Sequence, residues 1–121
     1  MNEDDLRKYS DAWNAHDIDQ IMSFHTKDCI FETGGGSEKY GTRIEGYEAV
    51  RQRFIEVWTA LPDVRFENAT HFVSGDRGCS EWTCVATRPD GSRLEMNGCD
   101  LFTFVGGKIR VKSSLLKNRT P

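Results

Sequence analysis

The sequence predicts an α+β fold in which three N-terminal helices pack on a curved sheet that is antiparallel or mixed. Apolar residues recur at helical spacing through residue 61 and then alternate with polar residues from Val64 onward. The connections that follow are short turns, at 74–78 and 89–92, so the strands they join are expected to run antiparallel. Helices followed by a meander form two layers, and a curved sheet around the helices would enclose a hydrophobic pocket.

Length and charge limit the class of protein. The 121 residues suffice for one domain, 1–121, with its own apolar core. The net charge of −3 and the pI near 5.6 argue against a nucleic-acid partner or an acidic membrane surface. No apolar run approaches the roughly 20 residues of a membrane helix, and the first ten residues, MNEDDLRKYS, are too charged for a secretory signal. We therefore expect a cytoplasmic protein with no nucleic-acid or membrane partner.

The four cysteines form no metal or redox motif. Cys29, Cys79, Cys84 and Cys99 include no CxxC pair and no Cys/His spacing typical of zinc. Free cysteines are commonly small core residues, which is the role expected here. The sequence implies neither a metal nor an organic cofactor.

Three helices are predicted from apolar stripes and from signals at their ends. Asp17 is the expected N-cap of the short second helix, and Pro62 ends the third. The first helix is predicted over Glu3–Ala15 and the third over Tyr47–Ala60. Their apolar stripes are Leu6, Tyr9 and Trp13 in the first helix, Ile18, Ile21, Met22 and His25 in the second, and Val50, Phe54, Val57, Trp58 and Leu61 in the third.

The strands are predicted from alternation and from glycine turns. Gly106 and Gly107 supply the positive φ values that a tight hairpin needs. The glycine-rich stretch 33–42 lacks the GK[ST] ending of a phosphate loop and is expected to be a mobile loop at a pocket mouth. His71 falls on a polar face that we expect to point outward. The predicted strands are 28–33, 64–73, 79–88, 94–104 and 109–117.

Asp100 stands out on the predicted strand 94–104. Strand side chains alternate between faces, so Asp100 shares its side with residues that are all apolar or glycine. A carboxylic acid on such a face loses hydration, which raises the pKa of a group of this kind unless it finds a partner. Asp100 is therefore either a satisfied buried acid or a working one. Its companions on the face are Leu94, Met96, Gly98, Phe102 and Phe104.

Three segments of the chain resemble the SnoaL-like branch of the NTF2-like superfamily. They are YSDAWNAHDIDQIMSFHTKDCIFE, GYEAVRQRFIEVWTALPD and GCDLFTFVGGKIRVKSSLLKNR, and together with their order they cover nearly the whole chain. The resemblance implies a cone-shaped α+β fold. The superfamily includes ketosteroid isomerases, limonene epoxide hydrolases and scytalone dehydratases, so the fold alone does not define one chemistry.

The resemblance also implies roles for particular residues. Ketosteroid isomerases hold an oxyanion with a tyrosine and a protonated aspartic acid, and their positions match Tyr9 and Asp100. SnoaL-type polyketide cyclases are similar in using an aspartate at the position of Asp100 as general acid and base. The isomerase's base, however, corresponds to Thr33, whose hydroxyl cannot accept a proton near neutral pH. His25 is the alternative base if its ring reaches the pocket.

The other candidate site residues are apolar or aromatic and would form the pocket wall. Each of them is equally compatible with ordinary core packing. The candidates for substrate binding are Trp13, Phe54, Trp58, Met96 and Phe102, together with Thr33.

Two functions remain open, and a third is disfavoured. The first is an enzyme that transfers a proton next to the carbonyl of a small apolar substrate, as an isomerase, aldol cyclase or dehydratase. The second is a non-catalytic module that binds a ligand or dimerises. Epoxide hydrolysis would need an arginine and a second acid beside Asp100, and the sequence offers no convincing set. We also expect a homodimer that forms through the outer face of the sheet.

Overall fold

The computed structural model describes residues 1–120, which fold into a helical layer against one curved mixed sheet. The helices are α1 (Glu3–Asn14), α2 (Ile18–Ser23) and α3 (Tyr47–Ala60). The strands are β1 (His25–Glu32), β2 (Arg43–Glu45), β3 (Arg65–Ser74), β4 (Arg77–Thr87), β5 (Arg93–Val105) and β6 (Lys108–Leu116). The α+β prediction is therefore confirmed.

The first two helices, α1 and α2, begin where the sequence provides capping side chains. Asn2 caps α1 and exchanges two hydrogen bonds with Asp5, both 2.9 Å, which satisfies amides at the start of the helix. Asp17 caps α2 by accepting from the amide of Gln20 at 3.1 Å, as predicted. The bounds of α3 also agree with the prediction. His25, in contrast, does not belong to α2 but opens β1, because the helix ends at Ser23.

The sheet has the strand order β2-β1-β6-β5-β4-β3. The meander from β3 to β6 is antiparallel throughout, as expected from its short turns. The pair β1–β6 is parallel. Strands far apart in the chain can pair in this way, because α3 and the whole meander lie between them and provide the return path. The short edge strand β2 was not predicted.

Bulges decide which side chains of β3 and β6 face the helices. In β3 the ladder shifts between Glu67 and Thr70, where Asn68 adopts a φ of 56°. This shift turns His71 toward the helical side, where its Nδ1 lies 2.7 Å from the hydroxyl of Ser80. The prediction that His71 points outward is therefore wrong. In β6, Arg110 is the extra residue, since Thr103 pairs with Val111 and Phe104 with Ile109.

The main core lies between the helices and the inner face of the sheet, the face that β1, β5 and β6 present to α1 and α3. It consists of 13 buried residues. A smaller cluster around Trp82 and Val64 continues the core under the end of α3. The opposite, outer face of the sheet is covered by no element of the described chain, and it carries Phe72 and Leu115, which are 54% and 52% exposed. The fully buried large side chains are Phe54, Phe102, Leu6, Ile21, Met22, Ile109, Val50 and Val64.

Three further observations concern residues 1–120. None of the helices there is long and apolar enough to cross a membrane. No group of three metal-ligating side chains lies close together in this part of the chain. The four cysteines are free thiols, and burial raises the pKa of Cys79 and of Cys84 to about 11.

Candidate active site

Asp100 lies on the inner face of β5, in the middle of a row of polar side chains that crosses the sheet. The register places Ser80 of β4 and Ser114 of β6 directly opposite Asp100. The hydroxyl of Ser114 donates to Asp100 Oδ1 at 2.6 Å, and the indole of Trp82 donates to Oδ2 at 3.0 Å. Only 7% of Asp100 is exposed. Asp100 is therefore a buried carboxylate that receives one donor on each oxygen.

Gly98 makes the contact between Trp82 and Asp100 possible. Trp82 pairs with Gly98 across the β4–β5 ladder, one row from Asp100. A Cβ on Gly98 would lie 2.7 Å from two atoms of the Trp82 ring and 2.6 Å from the carbonyl oxygen of Leu115. The missing side chain leaves the space in which the indole lies flat against the strand. The glycine thus positions the hydrogen-bond donor of the carboxylate.

Lys112 brings a positive charge to the same place. Its Nζ is 3.9 Å from Asp100 Oδ2 and 3.5 Å from the hydroxyl of Tyr9. The rings of Trp13 and Phe54 lie 4.2 and 4.9 Å from Nζ, within the range of cation–π attraction. Burial lowers the pKa of Lys112, and the charge of Asp100 counteracts part of that shift. A lysine 5% exposed among aromatic rings is rare in a purely structural role.

Tyr9 and His25 form a second polar pair on the other side of Lys112. The Tyr9 hydroxyl lies 2.8 Å from His25 Nε2. Burial raises the pKa of Tyr9 well above its usual value, and burial with a smaller contribution from Lys112 lowers the pKa of His25 to about 3. Both groups are therefore neutral at neutral pH. The Tyr9 oxygen also accepts a hydrogen bond from Lys112, and the other ring nitrogen of His25, Nδ1, has no partner.

These groups surround a cavity of about 20 Å³, enough for one water molecule. Asp100 and Lys112 form its charged wall, and most of its remaining surface is aromatic. Ser10 on α1 and the half-buried Phe66 on the edge strand β3 border it toward the outside. The lining residues are Tyr9, Ser10, Trp13, Phe66, Ser80, Trp82, Asp100, Phe102 and Lys112.

The candidate residues from the sequence are brought together only in part. Asp100, Tyr9, Trp13 and Phe102 line the cavity. His25 reaches it only through Tyr9. The others lie elsewhere: Phe54 behind Trp13 and Lys112, Trp58 stacked on His16, Met96 in the smaller cluster, and Thr33 in the loop after β1, where it binds the backbone of Gly35 and Thr42.

Reasoning from the sequence missed six contributors to the site: Ser10, Phe66, Ser80, Trp82, Lys112 and Ser114. Trp82 and Ser80 carried a usable signal, because they alternate onto the inner face of β4, which pairs with the face that holds Asp100. For Ser114 and Lys112 the sequence contained no such signal. Simple alternation from the apolar Ile109 sends Val111 inward and Lys112 outward, and only the bulge at Arg110 reverses this.

The chain belongs to the SnoaL-like family, whose profile matches residues 6–111. This agrees with the fold. No curated protein sequence is significantly similar to the chain.

Solved structures with the same fold share little sequence with this chain. A Pseudomonas putida protein provisionally described as a polyketide cyclase is 18% identical over 97% of this chain and 92% of its own, with a TM-score of 0.83. A Xanthomonas campestris protein of unknown function with a cystatin-like fold is 20% identical over 98% and 92%, with a TM-score of 0.84. TerC, crystallised with polyporic acid, is 20% identical over 94% and 89%, with a TM-score of 0.81. At these identities the similarity demonstrates the fold alone.

Proposed function

We propose that the protein is an enzyme that moves a proton next to the carbonyl group of a small apolar molecule. The observation that carries this proposal is the Asp100–Lys112 pair, 3.9 Å apart, on the wall of a cavity whose other walls are largely aromatic. A carboxylate beside a cation, both shielded from water, supplies a base for the α-hydrogen and a positive charge for the enolate oxygen.

Asp100 is the proton-transfer group in this mechanism. Each oxygen of a carboxylate can accept two hydrogen bonds, and the donors Trp82 and Ser114 use one site on each oxygen. The remaining lone pairs are free to take a proton from carbon and later to return it. The two donors hold the carboxylate in one orientation, which keeps it directed at the same substrate atom.

Lys112 stabilises the negative charge that develops on the enolate oxygen. Its Nζ carries three hydrogens, and its nearest oxygen partner is the Tyr9 hydroxyl at 3.5 Å. The Tyr9 hydroxyl already has two hydrogen-bond partners, His25 and Lys112, and its role here is to orient Lys112. The tyrosine role that the resemblance implied is therefore assigned here to the lysine.

Isomerisation, aldol cyclisation and dehydration all share this step. The family and the provisional description of the Pseudomonas putida neighbour as a polyketide cyclase support the cyclase within this set. A substrate larger than water requires the cavity to widen. The half-buried Phe66 on the edge strand β3 is the aromatic wall residue nearest to the edge of the sheet.

The test is exchange of α-hydrogens for deuterium in small ketones, followed by NMR in D₂O. The parent protein should accelerate exchange, and Asp100→Asn should lower the acceleration by about 10²–10⁴-fold, the usual contribution of a general base. Asp28→Asn is the matched control, since Asp28 is a strand aspartate whose side chain is 73% exposed. Equal exchange in the parent and in Asp100→Asn would remove Asp100 from the mechanism.

A non-catalytic ligand-binding module is the second candidate. It is favoured by the hydrogen-bond donor on each oxygen of Asp100 and by the small volume of the cavity. Thr33, which matches the base position of the isomerases, binds the backbone of a loop and does not line the cavity, and this points the same way. Tight binding of a ketone without any α-hydrogen exchange would establish this alternative.

We also propose that two copies pair through the outer face of the sheet. Phe72, Cys79 and Leu101 form one cross-strand row on this face, and Cys99 and Leu115 lie in the next. Phe72 and Leu115, one in each row, are 54% and 52% exposed, and exposed apolar side chains in adjacent rows are typical of protein interfaces. Light scattering should show a dimer that Phe72→Lys weakens, whereas a monomeric parent would exclude this assembly.

A further inference from the structure

Lys112 has fewer partners than a buried lysine normally requires. It is 5% exposed, and its three N–H groups have one long hydrogen bond, to the Tyr9 hydroxyl at 3.5 Å. The carboxylate of Asp100, at 3.9 Å, is beyond hydrogen-bond distance. Lys112 also lines the cavity. The amine is thus buried, lacks hydrogen-bond partners for most of its N–H groups, and can contact a molecule that enters the cavity.

The groups around Nζ stabilise both of its protonation states. Asp100 from β5 and the rings of Trp13 and Phe54 favour the ammonium form. Burial in an apolar wall favours the neutral amine. Tyr9 from α1 and His25 from β1, the other titratable groups on this side, are neutral and contribute no charge. Burial therefore weakens the hold of Nζ on its proton, and the Asp100 carboxylate, 3.9 Å away, lies in position to accept it.

We propose that Lys112 is a nucleophile that captures a small aldehyde or ketone in this cavity as an iminium ion, with Asp100 relaying the protons. This inference rests on the proposed function in one respect, namely that a carbonyl compound enters the cavity. It adds a covalent step and narrows the substrate class to unhindered aldehydes and ketones.

The step balances without any further reactant. The Lys112 ammonium gives one proton to Asp100, and the amine lone pair forms a C–N bond while the carbonyl π pair moves to oxygen. Asp100 delivers this proton to the oxygen and takes a second one from nitrogen. It then passes the second proton to the oxygen, the C–O bond breaks, and water leaves. The ion pair of ammonium and carboxylate becomes an ion pair of iminium and carboxylate.

In the same geometry, the iminium ion activates the substrate for proton transfer. The α-carbon is bonded to the C=N⁺ group, and loss of its hydrogen gives a neutral enamine, so this hydrogen is more acidic than in the free ketone. The base that would remove this hydrogen is Asp100, next to the nitrogen. Trp13, Phe54 and Phe102 surround the site with apolar surface and limit the access of water that would hydrolyse the adduct.

The experiment is reductive trapping of the folded protein with acetone or propanal and sodium cyanoborohydride at neutral pH. Peptide mass spectrometry then follows all six lysines in one sample, so the five others serve as internal controls. We expect the initial rate at Lys112 to exceed that at exposed lysines such as Lys8 and Lys117 by roughly tenfold or more, since each unit of pKa lowering multiplies the amine fraction by ten. A lysine that is buried for structure alone would be the last to react. Modification of Lys112 no faster than of the exposed lysines overturns the proposal.

Two variants separate this inference from the proposed function. Lys112→Arg keeps the charge but cannot form the adduct, so it should lose the fast-reacting site while tryptophan fluorescence reports an intact fold. Asp100→Asn should slow trapping at position 112 without changing the rates at the exposed lysines. Asp100-dependent exchange of α-hydrogens with no adduct at Lys112 overturns the covalent step alone. An adduct at Lys112 without exchange overturns the proton-transfer function alone.

Discussion

The two polar groups on either side of Lys112 differ in charge and in the number of hydrogen bonds that support them. On one side, Asp100 receives donors from Trp82 and Ser114 and faces the lysine, so a negative charge is stabilised in the interior. On the other side, Tyr9 and His25 share one 2.8 Å hydrogen bond, and the second ring nitrogen of His25, Nδ1, has no partner. The first group thus has a hydrogen-bond donor for each carboxylate oxygen. The second group has a single internal hydrogen bond and carries no charge.

This difference indicates which side of the lysine carries the chemistry. A buried charge is costly unless it is paired and hydrogen-bonded, and the fold supplies that support only at Asp100. The neutral Tyr9–His25 pair adds no competing charge and holds the lysine side chain from behind. Both members of the charged pair therefore line the cavity, whereas the neutral pair borders it only through Tyr9.

The largest effect is expected from separating the charged pair. Lys112→Met keeps the length and apolar contacts of the side chain but leaves the Asp100 carboxylate without a cation, which should lower the free energy of unfolding by about 3–5 kcal/mol. Tyr9→Phe, on the neutral side, should cost only about 1–2 kcal/mol. Urea unfolding followed by tryptophan fluorescence measures both.

A double variant keeps this comparison strict. Asp100→Asn should destabilise the Lys112→Met protein much less than it destabilises the parent, with a coupling of about 0.5–3 kcal/mol. Additive effects of the two substitutions would mean that Asp100 and Lys112 do not act as a pair.

A smaller effect is expected from acidifying the neutral pair. The pKa of His25 is lowered to about 3 in the folded protein, below the ordinary 6.5 of the unfolded chain. The folded state therefore binds fewer protons between these values, and its stability falls as the pH drops from about 6.5 toward 3. This one group lowers the free energy of unfolding by about 1.4 kcal/mol per pH unit. The total loss between pH 6.5 and pH 4.5 is about 2–3 kcal/mol. His25→Gln should remove this contribution in denaturation measured from pH 7 to 4.5, whereas an unchanged slope would show that His25 is not held neutral.

The smallest effect is expected from crowding the donor that supports Asp100. Gly98→Ala places a methyl group 2.7 Å from the Trp82 ring and should cost about 1–3 kcal/mol as the indole shifts away from the carboxylate. Gly35→Ala is the control, because a Cβ there meets no atom within 4 Å, and we expect a change within about 0.5 kcal/mol. Equal stability of the two variants would mean that the position of Trp82 does not depend on Gly98.

Local patterns were sufficient for most of the fold. The predicted bounds of α3, Tyr47–Ala60, are those of the structure, because its apolar stripe, Gly46 and Pro62 are all local signals. The turn at Gly106 and Gly107 forms as expected, with φ values of 59° and 76°. The α+β layout and the SnoaL-like fold followed from the order of these elements and from the resemblance of three segments.

The environment of Asp100 was beyond such patterns. His71 was assigned to the wrong face, and Lys112 was not considered, since each lies just after a bulge that resets the alternation of its strand. His25 was placed on α2 because it continues an apolar stripe that the helix does not reach. The parallel pairing of β1 with β6 joins residues about 80 positions apart in the chain, which no local signal specifies.

The sequence by itself determined that an aspartate would lie on the apolar face of a strand before a glycine hairpin, because alternation and turn chemistry act within a few residues. Only the tertiary structure decided what meets that aspartate. The register of β4 and β6 against β5, and the bulge at Arg110, bring Trp82, Ser114 and Lys112 to one point. Register depends on how whole faces pack against the helices, and a shift of one residue would have turned the lysine to the opposite face.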